Sequence, residues 1–415
     1  MRNRIILFTI TILTLIPGIG MSQEITWVKY PTNLDLGTED QVSHPSVVFD
    51  GSKYHLWYVS QSGAQRSINY ARSTDGITYE VYPGNPVLQD GVGEVWDREW
   101  VSQPSVVYDG TTFRMWYAGY DGNALRIGYA TSADGVSWNK DAANPVLDVG
   151  ASGDFDDEGV SSPGVLHDGD QYHIFYSGYD GANLRIGYAT SADGVMWDKS
   201  ASNPVLDLGP GDDFDNAGVS SPTVLHDETQ YHIFYSGYDG ANLRIGYATS
   251  PDGVSWNKNT SNPVLDLGPG GDWDDEGVSG PSVLYDGTLY RMFYSGYDGD
   301  NLKIGYAIGQ GVQDLVANAG ADDTICSGTC ATLNGSASGG SGGYTYLWTP
   351  GNMTGQYPEV CPTTTTIYTL TVTDNNGCTA ADQVVVTVRE CDTTTCSVIA
   401  NAASDVSICP GPAPV

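Results

Sequence analysis

The chain of 415 residues carries 50 acidic and 17 basic side chains, which gives a formal net charge of −33 at pH 7. A surface this acidic repels nucleic acid and anionic lipid, so neither is expected as a partner. The carboxylates also leave calcium binding open, although a solvated acidic surface explains them without any metal or other cofactor.

The chain begins with a pattern typical of a cleaved secretory signal, predicted over residues 1–22. Arg2 and Arg4 precede an apolar run that is short for a membrane span and is broken by Pro17, and a cleavage site is expected before Gln23. No later segment is apolar enough to cross a bilayer. We therefore expect an exported protein, secreted or held at the cell surface, without membrane insertion.

Tandem repeats of 59 residues occupy most of the chain. The stretch YHIFYSGYDGANLRIGYATS occurs identically at 172–191 and 231–250. A fixed period in this range indicates a repeat architecture. The prolines that open the equivalent motif PSVV or its variants are Pro45, Pro104, Pro163, Pro222 and Pro281.

Each repeat is predicted to form a four-stranded antiparallel meander. Alternating, aromatic-rich segments are separated by Asp-Gly turns, and no helical period is present. Five such units in tandem predict an all-β fold, a five-bladed β-propeller over residues 23–311. The fifth unit lacks its last strand, and ITWVK (Ile25–Lys29) matches VSWNK (Val254–Lys258). The N-terminal strand is therefore expected to pair near residues 302–307 and to close the ring.

The motif SADGVSW (Ser132–Trp138) resembles the Asp-box of sialidase-type propellers, one residue shorter. Its Asp is expected to cap backbone N–H groups in a hairpin turn, and its aromatic residue to pack between blades. These roles are structural rather than catalytic. The equivalent pairs in other repeats are Asp75 and Tyr79, Asp193 and Trp197, and Asp252 and Trp256.

The loops that lead into the inner strands are predicted to form the ligand-binding face. An aromatic residue followed by Asp recurs in them, and aromatic rings stack on sugars while carboxylates accept hydroxyl hydrogen bonds. The same pair can instead fill the gap between blades and cap a turn. The candidate catalytic carboxylates are Asp97, Glu99, Asp156, Glu158, Asp274 and Glu276. The candidate substrate-binding residues are His44, Trp96, Trp100, Gln103, Phe155, Ser162, Phe214, Asp215, Ser221 and Trp273.

Over residues 24–311 the repeat pattern resembles the five-bladed arabinanase, xylosidase and invertase superfamily of glycosidases. The resemblance implies a polysaccharide or other glycan as partner. It also implies an Asp directly before an inner-strand proline as base or nucleophile, and a Glu on another blade as acid. Here no pre-proline position carries Asp, although glycoside hydrolysis usually needs two facing carboxyl groups. The residues at these positions are His44, Gln103, Ser162, Ser221 and Gly280.

All seven cysteines lie beyond residue 325. A linker is expected at 312–315, followed over residues 316–390 by a β-sandwich that resembles PKD-like, immunoglobulin-type modules of secreted bacterial proteins. Residues 391–415 are predicted to hold a linker and the start of a second module. In an exported protein the cysteines indicate disulfides. The predicted pairs are Cys326–Cys378, Cys330–Cys361 and Cys391–Cys396.

Three functions agree with the sequence. A carbohydrate-binding propeller explains the repeated loops and the missing Asp-Pro, and it is the preferred interpretation. An active glycoside hydrolase acting on plant or algal polysaccharide explains the resemblance and the unusual His44 and Gln103. A structural or adhesive spacer explains the close similarity of the repeats. Fold alone does not choose among them.

Overall fold

A computed structural model describes residues 25–37, 41–93, 95–227, 229–286, 289–311, 315–339, 343–374 and 379–391. All regular structure in these ranges is β-strand, which confirms the predicted all-β class. The described residues contain no helix able to span a membrane. The chain divides into two compact units after Gly311. The predicted signal segment and nearly all of residues 391–415 lie outside the described ranges.

The first unit is built from the 59-residue repeats, each with three long strands and a short outer one. Repeats 1 and 2 contain β2 (Gln41–Phe49), β3 (Tyr54–Ser62), β4 (Gln65–Ser73), β5 (Glu80–Val81), β6 (Trp100–Tyr108), β7 (Phe113–Tyr120), β8 (Leu125–Ser132) and β9 (Asn139–Lys140). Repeats 3 and 4 contain β10 (Gly159–His167), β11 (Tyr172–Tyr179), β12 (Leu184–Ser191), β13 (Asp198–Lys199), β14 (Gly218–His226), β15 (Tyr231–Tyr238), β16 (Leu243–Ser250) and β17 (Asn257–Lys258). Repeat 5 contains β18 (Gly277–Tyr285), β19 (Tyr290–Tyr297) and β20 (Leu302–Gly311), with β1 (Ile25–Lys29) as its outer strand.

Strand β1 completes the last repeat. It pairs antiparallel with β20, from Ile25 opposite Gly311 to Lys29 opposite Ala307. The predicted partnership of the N-terminal strand with the last repeat is confirmed. Its register is centred beyond the expected 302–307, because β1 pairs with the end of β20.

Side-chain hydroxyls join the inner strands of successive repeats. The backbone N–H of Val106 donates to Ser46 Oγ at 3.0 Å, which links repeat 2 to repeat 1. The N–H of Val47 donates to Ser282 Oγ at 3.0 Å, which links repeat 1 to repeat 5. The series of repeats therefore returns to its start, in a propeller-like arrangement.

The Asp-Gly turn of one repeat contacts a tryptophan of the repeat before it. Asp134 accepts hydrogen bonds from the backbone N–H groups two and three residues later, as predicted for a cap. Trp57 of repeat 1 donates its indole N–H to the carbonyl of Gly135 at 2.8 Å and meets Trp138 edge-on at 5.9 Å. Because Trp57 is fully buried, this contact belongs to the core between repeats.

The second unit is a smaller β-structure with its own core around Trp348, Leu370 and Val386. Its assignment as an immunoglobulin-type module stays a prediction. One sheet contains β22 (Asp323–Cys326), β29 (Thr379–Arg389), β28 (Thr366–Thr373), β25 (Thr345–Thr349) and β26 (Met353–Thr354) in that order. Two further pairs are β21 (Val316–Asn318) with β24 (Ser336–Ser338), and β23 (Ala331–Thr332) with β27 (Glu359–Val360).

Two disulfides join described residues of the second unit. Cys330 bonds to Cys361, as predicted. Cys326 bonds to Cys391, so the predicted pairs Cys326–Cys378 and Cys391–Cys396 are wrong. The reason is the parallel pairing of β22 with β29, which sets Cys326 opposite Arg389 and close to the cysteine that follows it. Cys378 and Cys396 themselves lie outside the described residues.

Candidate functional site

The five pre-proline residues converge on one small cavity, which they line together with the prolines. The cavity has a volume of about 30 Å³. This space admits water but not a sugar ring. The cavity itself is therefore too small to hold a sugar. The lining pre-proline residues are His44, Gln103, Ser162, Ser221 and Gly280.

The same five residues have a left-handed backbone, with φ between 46° and 54°. In repeat 1 the pairing of β2 with β3 shifts between Ser43 and Ser46, which is a β-bulge, and each inner strand shows an equivalent shift. Non-glycine residues rarely adopt this conformation, and such strain clusters at functional sites. The position is thus special in every repeat, whichever residue occupies it.

His44 stands at the junction of repeats 1 and 5. Its backbone N–H donates to Ser295 Oγ at 2.8 Å, and its ring Nδ1 lies 3.0 Å from Ser43 Oγ. Burial and the positive charge of Arg66 lower the pKa of His44 from 6.5 to about 4. The imidazole is therefore neutral near pH 7 and suited to hydrogen bonding rather than to acid catalysis.

The candidate aspartates are buried, and their carboxylates already have partners within the protein. Asp156 is 2% exposed, accepts a hydrogen bond from Tyr176 Oη at 2.9 Å and forms an ion pair with Lys199 at 2.7 Å. Burial and the carboxylate raise the pKa of Tyr176, so the phenol stays a donor. These partners lie on β11 and β13, not on the inner strand. The other sets of this kind are Asp97 with Tyr117 and Lys140, Asp215 with Tyr235 and Lys258, and Asp274 with Tyr294 and Lys29.

The candidate glutamates are exposed at the rim. Each donates its backbone N–H to a tyrosine carbonyl at the end of the second strand of its repeat, for example Glu158 to Tyr179 at 3.0 Å. Glu99 also lies 3.5 Å from Arg98. Their carboxylates are more accessible than those of the aspartates. The equivalent residues are Glu99, Glu158 and Glu276.

The aromatic residues of the entry loops fill space within their own repeats. A Cβ built on Gly119 would lie 2.4 Å from the Trp96 ring, and one on Gly128 would also lie 2.4 Å from it. Only glycine at both strand positions leaves room for the ring. Sugar binding by these half-buried rings stays a prediction, and their visible role is packing. The equivalent aromatics are Phe155, Phe214 and Trp273.

Repeat 1 departs from this plan. Its entry loop is five residues shorter, and Ser60 and Asn69 occupy the positions that are glycine in the other repeats. No aromatic residue of an entry loop packs on them in the described part of the chain. The sequence comparison between repeats already contained this signal, because a side chain at both positions is incompatible with an aromatic plug.

The junction of repeats 1 and 2 contains a contact that the other junctions lack, between Arg66 and Trp100. The sequence analysis identified only one of these two residues. Trp100 was predicted to bind substrate, but its partner Arg66 was not singled out. The Arg66 guanidinium lies 4.8 Å from the Trp100 ring centroid, and Tyr120 stacks on Trp100 at 5.1 Å. The other repeats all carry Leu at the position of Arg66, and at the position of Trp100 they carry Gly or, in repeat 1, Gln41, so their alignment could have revealed the pair.

No cluster of three or more His, Cys, Asp or Glu side chains suited to a metal ion occurs within the described ranges. Calcium binding at the acidic surface stays a prediction.

Comparison with known proteins supports a glycosidase-like fold. A family model described as "Glycosyl hydrolases family 32 N-terminal domain" matches residues 161–304, within repeats 3 to 5. Two uncharacterized proteins of Mycobacterium tuberculosis, from strains CDC 1551 / Oshkosh and ATCC 25618 / H37Rv, are each 27% identical over 263 residues. These alignments cover 60% of this chain and 85% of each relative.

Several solved glycosidase structures share the architecture. A protein titled "Glycoside hydrolase" has a TM-score of 0.59 and 18% identity, covering 68% of this chain and 92% of its own. A thermostable family-43 glycoside hydrolase has a TM-score of 0.54 and 21% identity, and the match covers 66% of this chain and 91% of the hydrolase. A putative glycosidase from Bacteroides thetaiotaomicron has a TM-score of 0.53 and 16% identity, and the match covers 66% of this chain and 93% of the glycosidase. At these identities the likeness shows the fold: the chain has a glycoside hydrolase-like, propeller-like β-structure.

Proposed function

We propose that residues 25–311 form a five-bladed propeller that binds carbohydrate at the mouth of its axis and hydrolyses it slowly or not at all. The observation that carries this proposal is the state of the candidate aspartates. Each is buried between a tyrosine and a lysine, and no pre-proline position offers a carboxylate in their place. A pair of facing carboxyl groups is therefore missing from the axis among the described residues.

Three features support binding at the axial face. The five pre-proline residues meet there, the backbone at each is left-handed, and the mouth is asymmetric because of His44, Gln103 and the Arg66–Trp100 pair. Glycosidases of similar fold make a glycan the natural ligand class. The two disulfides of the second unit are typical of exported proteins, so we place the protein outside the cell.

Active hydrolysis is the second candidate, because the matching family model and the three solved structures named above are described as glycoside hydrolases or glycosidases. The exposed Glu99, Glu158 and Glu276 are the carboxylates through which it would act. Losing a true general acid or base typically lowers the rate about 10²- to 10⁴-fold. If the protein only binds glycans, the slow hydrolysis that remains should change far less when any one of these three glutamates is replaced.

Both functions are tested with one purified protein. Binding is measured on an array of plant and algal glycans, and hydrolysis by release of reducing ends from the same polysaccharides. We expect binding without robust turnover. The variants Glu99→Gln, Glu158→Gln and Glu276→Gln should leave the little turnover present unchanged.

Robust turnover that disappears in one of these variants would contradict the binding proposal and establish a hydrolase. Absence of both binding and turnover would also contradict it and favour a structural spacer. Asp156→Asn serves as the matched control, since its buried carboxylate should affect stability rather than turnover.

A further inference from the structure

Arg66 is a half-buried cation without a carboxylate partner in the described part of the chain. The arginine of repeat 2 stands one position later and is paired: Arg126 contacts both Asp121 and Asp148, at 2.9 and 2.8 Å. Arg185 and Arg244 form the same double pairs. The protein has a net charge of −33, yet among the arginines of the described ranges Arg66 shares this lack of a paired carboxylate only with the exposed Arg389. Burial lowers the pKa of Arg66, as expected for a cation that nothing neutralises.

Two contacts position the Arg66 guanidinium. Its Nε donates to Gln61 Oε1 at 2.9 Å, and the group lies over Trp100 at 4.8 Å. Tyr120 in turn stacks on Trp100, with the ring centroids 5.1 Å apart. Stacking and the Gln61 bond leave the two terminal nitrogens, Nη1 and Nη2, without a protein acceptor among the described residues. Two parallel N–H donors in one plane match a carboxylate, which binds such a fork in bidentate fashion.

Arg66 lies at the edge of repeat 1 where the inner strand begins, because it is opposite Gln61 of β3, and Gln61 is opposite Gln41, the first residue of β2. The charge of Arg66 acts on His44, one of the residues that line the central cavity. An anion bound to Arg66 would thus be within reach of a glycan held at the mouth of the axis. Repeat 1 contributes this arginine where Leu125, Leu184, Leu243 and Leu302 stand in the other repeats, so the site occurs once in the first unit.

We propose that Arg66, oriented by Trp100 and Gln61, binds the carboxylate of a uronic acid in the glycan ligand. This inference rests on the proposed carbohydrate binding and names the ligand class within it. The overall charge of −33 restricts the class further, because a polyuronate would be repelled along its length. The fitting ligand is a neutral glycan that carries an isolated uronic acid.

The test compares two forms of one oligosaccharide by calorimetry: a xylo-oligosaccharide with one glucuronic acid, and the same molecule with its carboxyl group reduced to an alcohol. We expect the acidic form to bind about 10- to 100-fold more tightly, the range of a hydrogen-bonded ion pair. Arg66→Leu, which introduces the residue of the other repeats, should abolish this difference. Arg66→Lys should retain only part of it, because a lysine lacks the planar fork.

The control is Arg72→Leu, which removes an exposed arginine from the same strand and should leave the preference unchanged. A second readout is the His44 ring signal in NMR: the acidic ligand should raise the pKa of His44, because it offsets the Arg66 charge. A purely structural Arg66 would not produce this shift.

The following outcomes would overturn the inference. Equal affinity for the two forms, or an unchanged preference in Arg66→Leu, would show that Arg66 does not read the carboxylate. Displacement by inorganic phosphate as effective as by the acidic oligosaccharide would show a site for free anions. Binding of the reduced form alone would leave the proposed carbohydrate function standing, whereas no binding of either form to this protein or any glycan on the array would remove both proposals.

Discussion

The side-chain oxygen of Gln103 accepts a hydrogen bond from the backbone N–H of Ser162 at 3.2 Å. In the later repeats a serine on the second strand performs this task, for example Ser177 for Ser221 at 2.9 Å. Repeat 2 has Ala118 at the position of that serine. Gln103 therefore supplies the acceptor that the alanine lacks, which gives this residue a structural reason besides any role in ligand binding.

This relationship predicts a rescue. Gln103→Ala should lower the free energy of unfolding by about 1 to 2 kcal/mol, because it leaves the Ser162 N–H without its acceptor. Adding Ala118→Ser restores the hydroxyl found in the later repeats and should recover most of the loss. Urea unfolding of the two single variants and the double variant measures the coupling. Independent, additive effects would show that Gln103 and position 118 do not share this bond.

The buried Asp–Lys pairs should govern stability. Lys258→Met leaves the carboxylate of Asp215 buried without its cation, and breaking such a pair costs about 3 to 5 kcal/mol. The double variant Asp215→Asn, Lys258→Met should be more stable than Lys258→Met alone, since the uncompensated charge is gone. Denaturant unfolding at two salt concentrations measures both effects.

An exposed ion pair provides the comparison for that experiment. Arg72→Met disrupts a pair whose side chains are 50% and 71% exposed, and it should cost far less stability, because solvent screens an exposed ion pair. A loss in Lys258→Met no larger than in Arg72→Met would contradict the structural role assigned to the buried lysines.

Much of the first unit follows from local pattern. Asp134 caps its turn as predicted, and ITWVK joins the last repeat because it carries the alternation of a fourth strand. Spacing did not reveal that Asp156 pairs with Lys199, 43 residues later. Such a contact depends on how an entry loop crosses its own repeat, and periodicity carries no information about that path.

The candidate site was predictable in position but not in chemistry. The proline period placed His44 and Gln103 on the inner strands, and the structure brings them to one cavity. The contact between Arg66 and Trp100 forms only because β4 of repeat 1 lies next to the first residue of β6 in the fold. The Cys326 partner was mispredicted for a related reason: strand order in the second unit, not sequence distance, decides which cysteines meet.

The disulfides of the second unit should be mapped and removed singly. Non-reducing peptide mapping should recover Cys326 with Cys391 and Cys330 with Cys361. Each closes a long loop, with sequence separations of 65 and 31 residues, and loops of this size correspond to about 4 kcal/mol by the chain-entropy relation. Cys326→Ser with Cys391→Ser should therefore speed hydrogen exchange in β28 and β29. Unchanged exchange there, with exchange in β10 as the internal control, would show that the bond adds no stability.

His44 should make stability depend on pH in a defined window. Its pKa is about 4 in the folded protein and 6.5 when unperturbed, so the unfolded chain binds a proton that the folded chain refuses between these values. The folded state therefore keeps its full stability above pH 6.5 and loses stability as the pH falls towards 4, because the unfolded chain gains a proton on His44 first. Relative to His44→Asn, which tolerates the same left-handed backbone, wild type should lose about 1 to 3 kcal/mol between pH 7 and pH 4.5. Urea unfolding at both pH values measures this difference, because all other titrating groups are common to the two proteins. Ser221→Asn, at an equivalent position with φ of 49°, is the control and should show no such pH-dependent difference from wild type. A constant difference between wild type and His44→Asn at both pH values would mean that His44 is not held neutral by its burial and by Arg66.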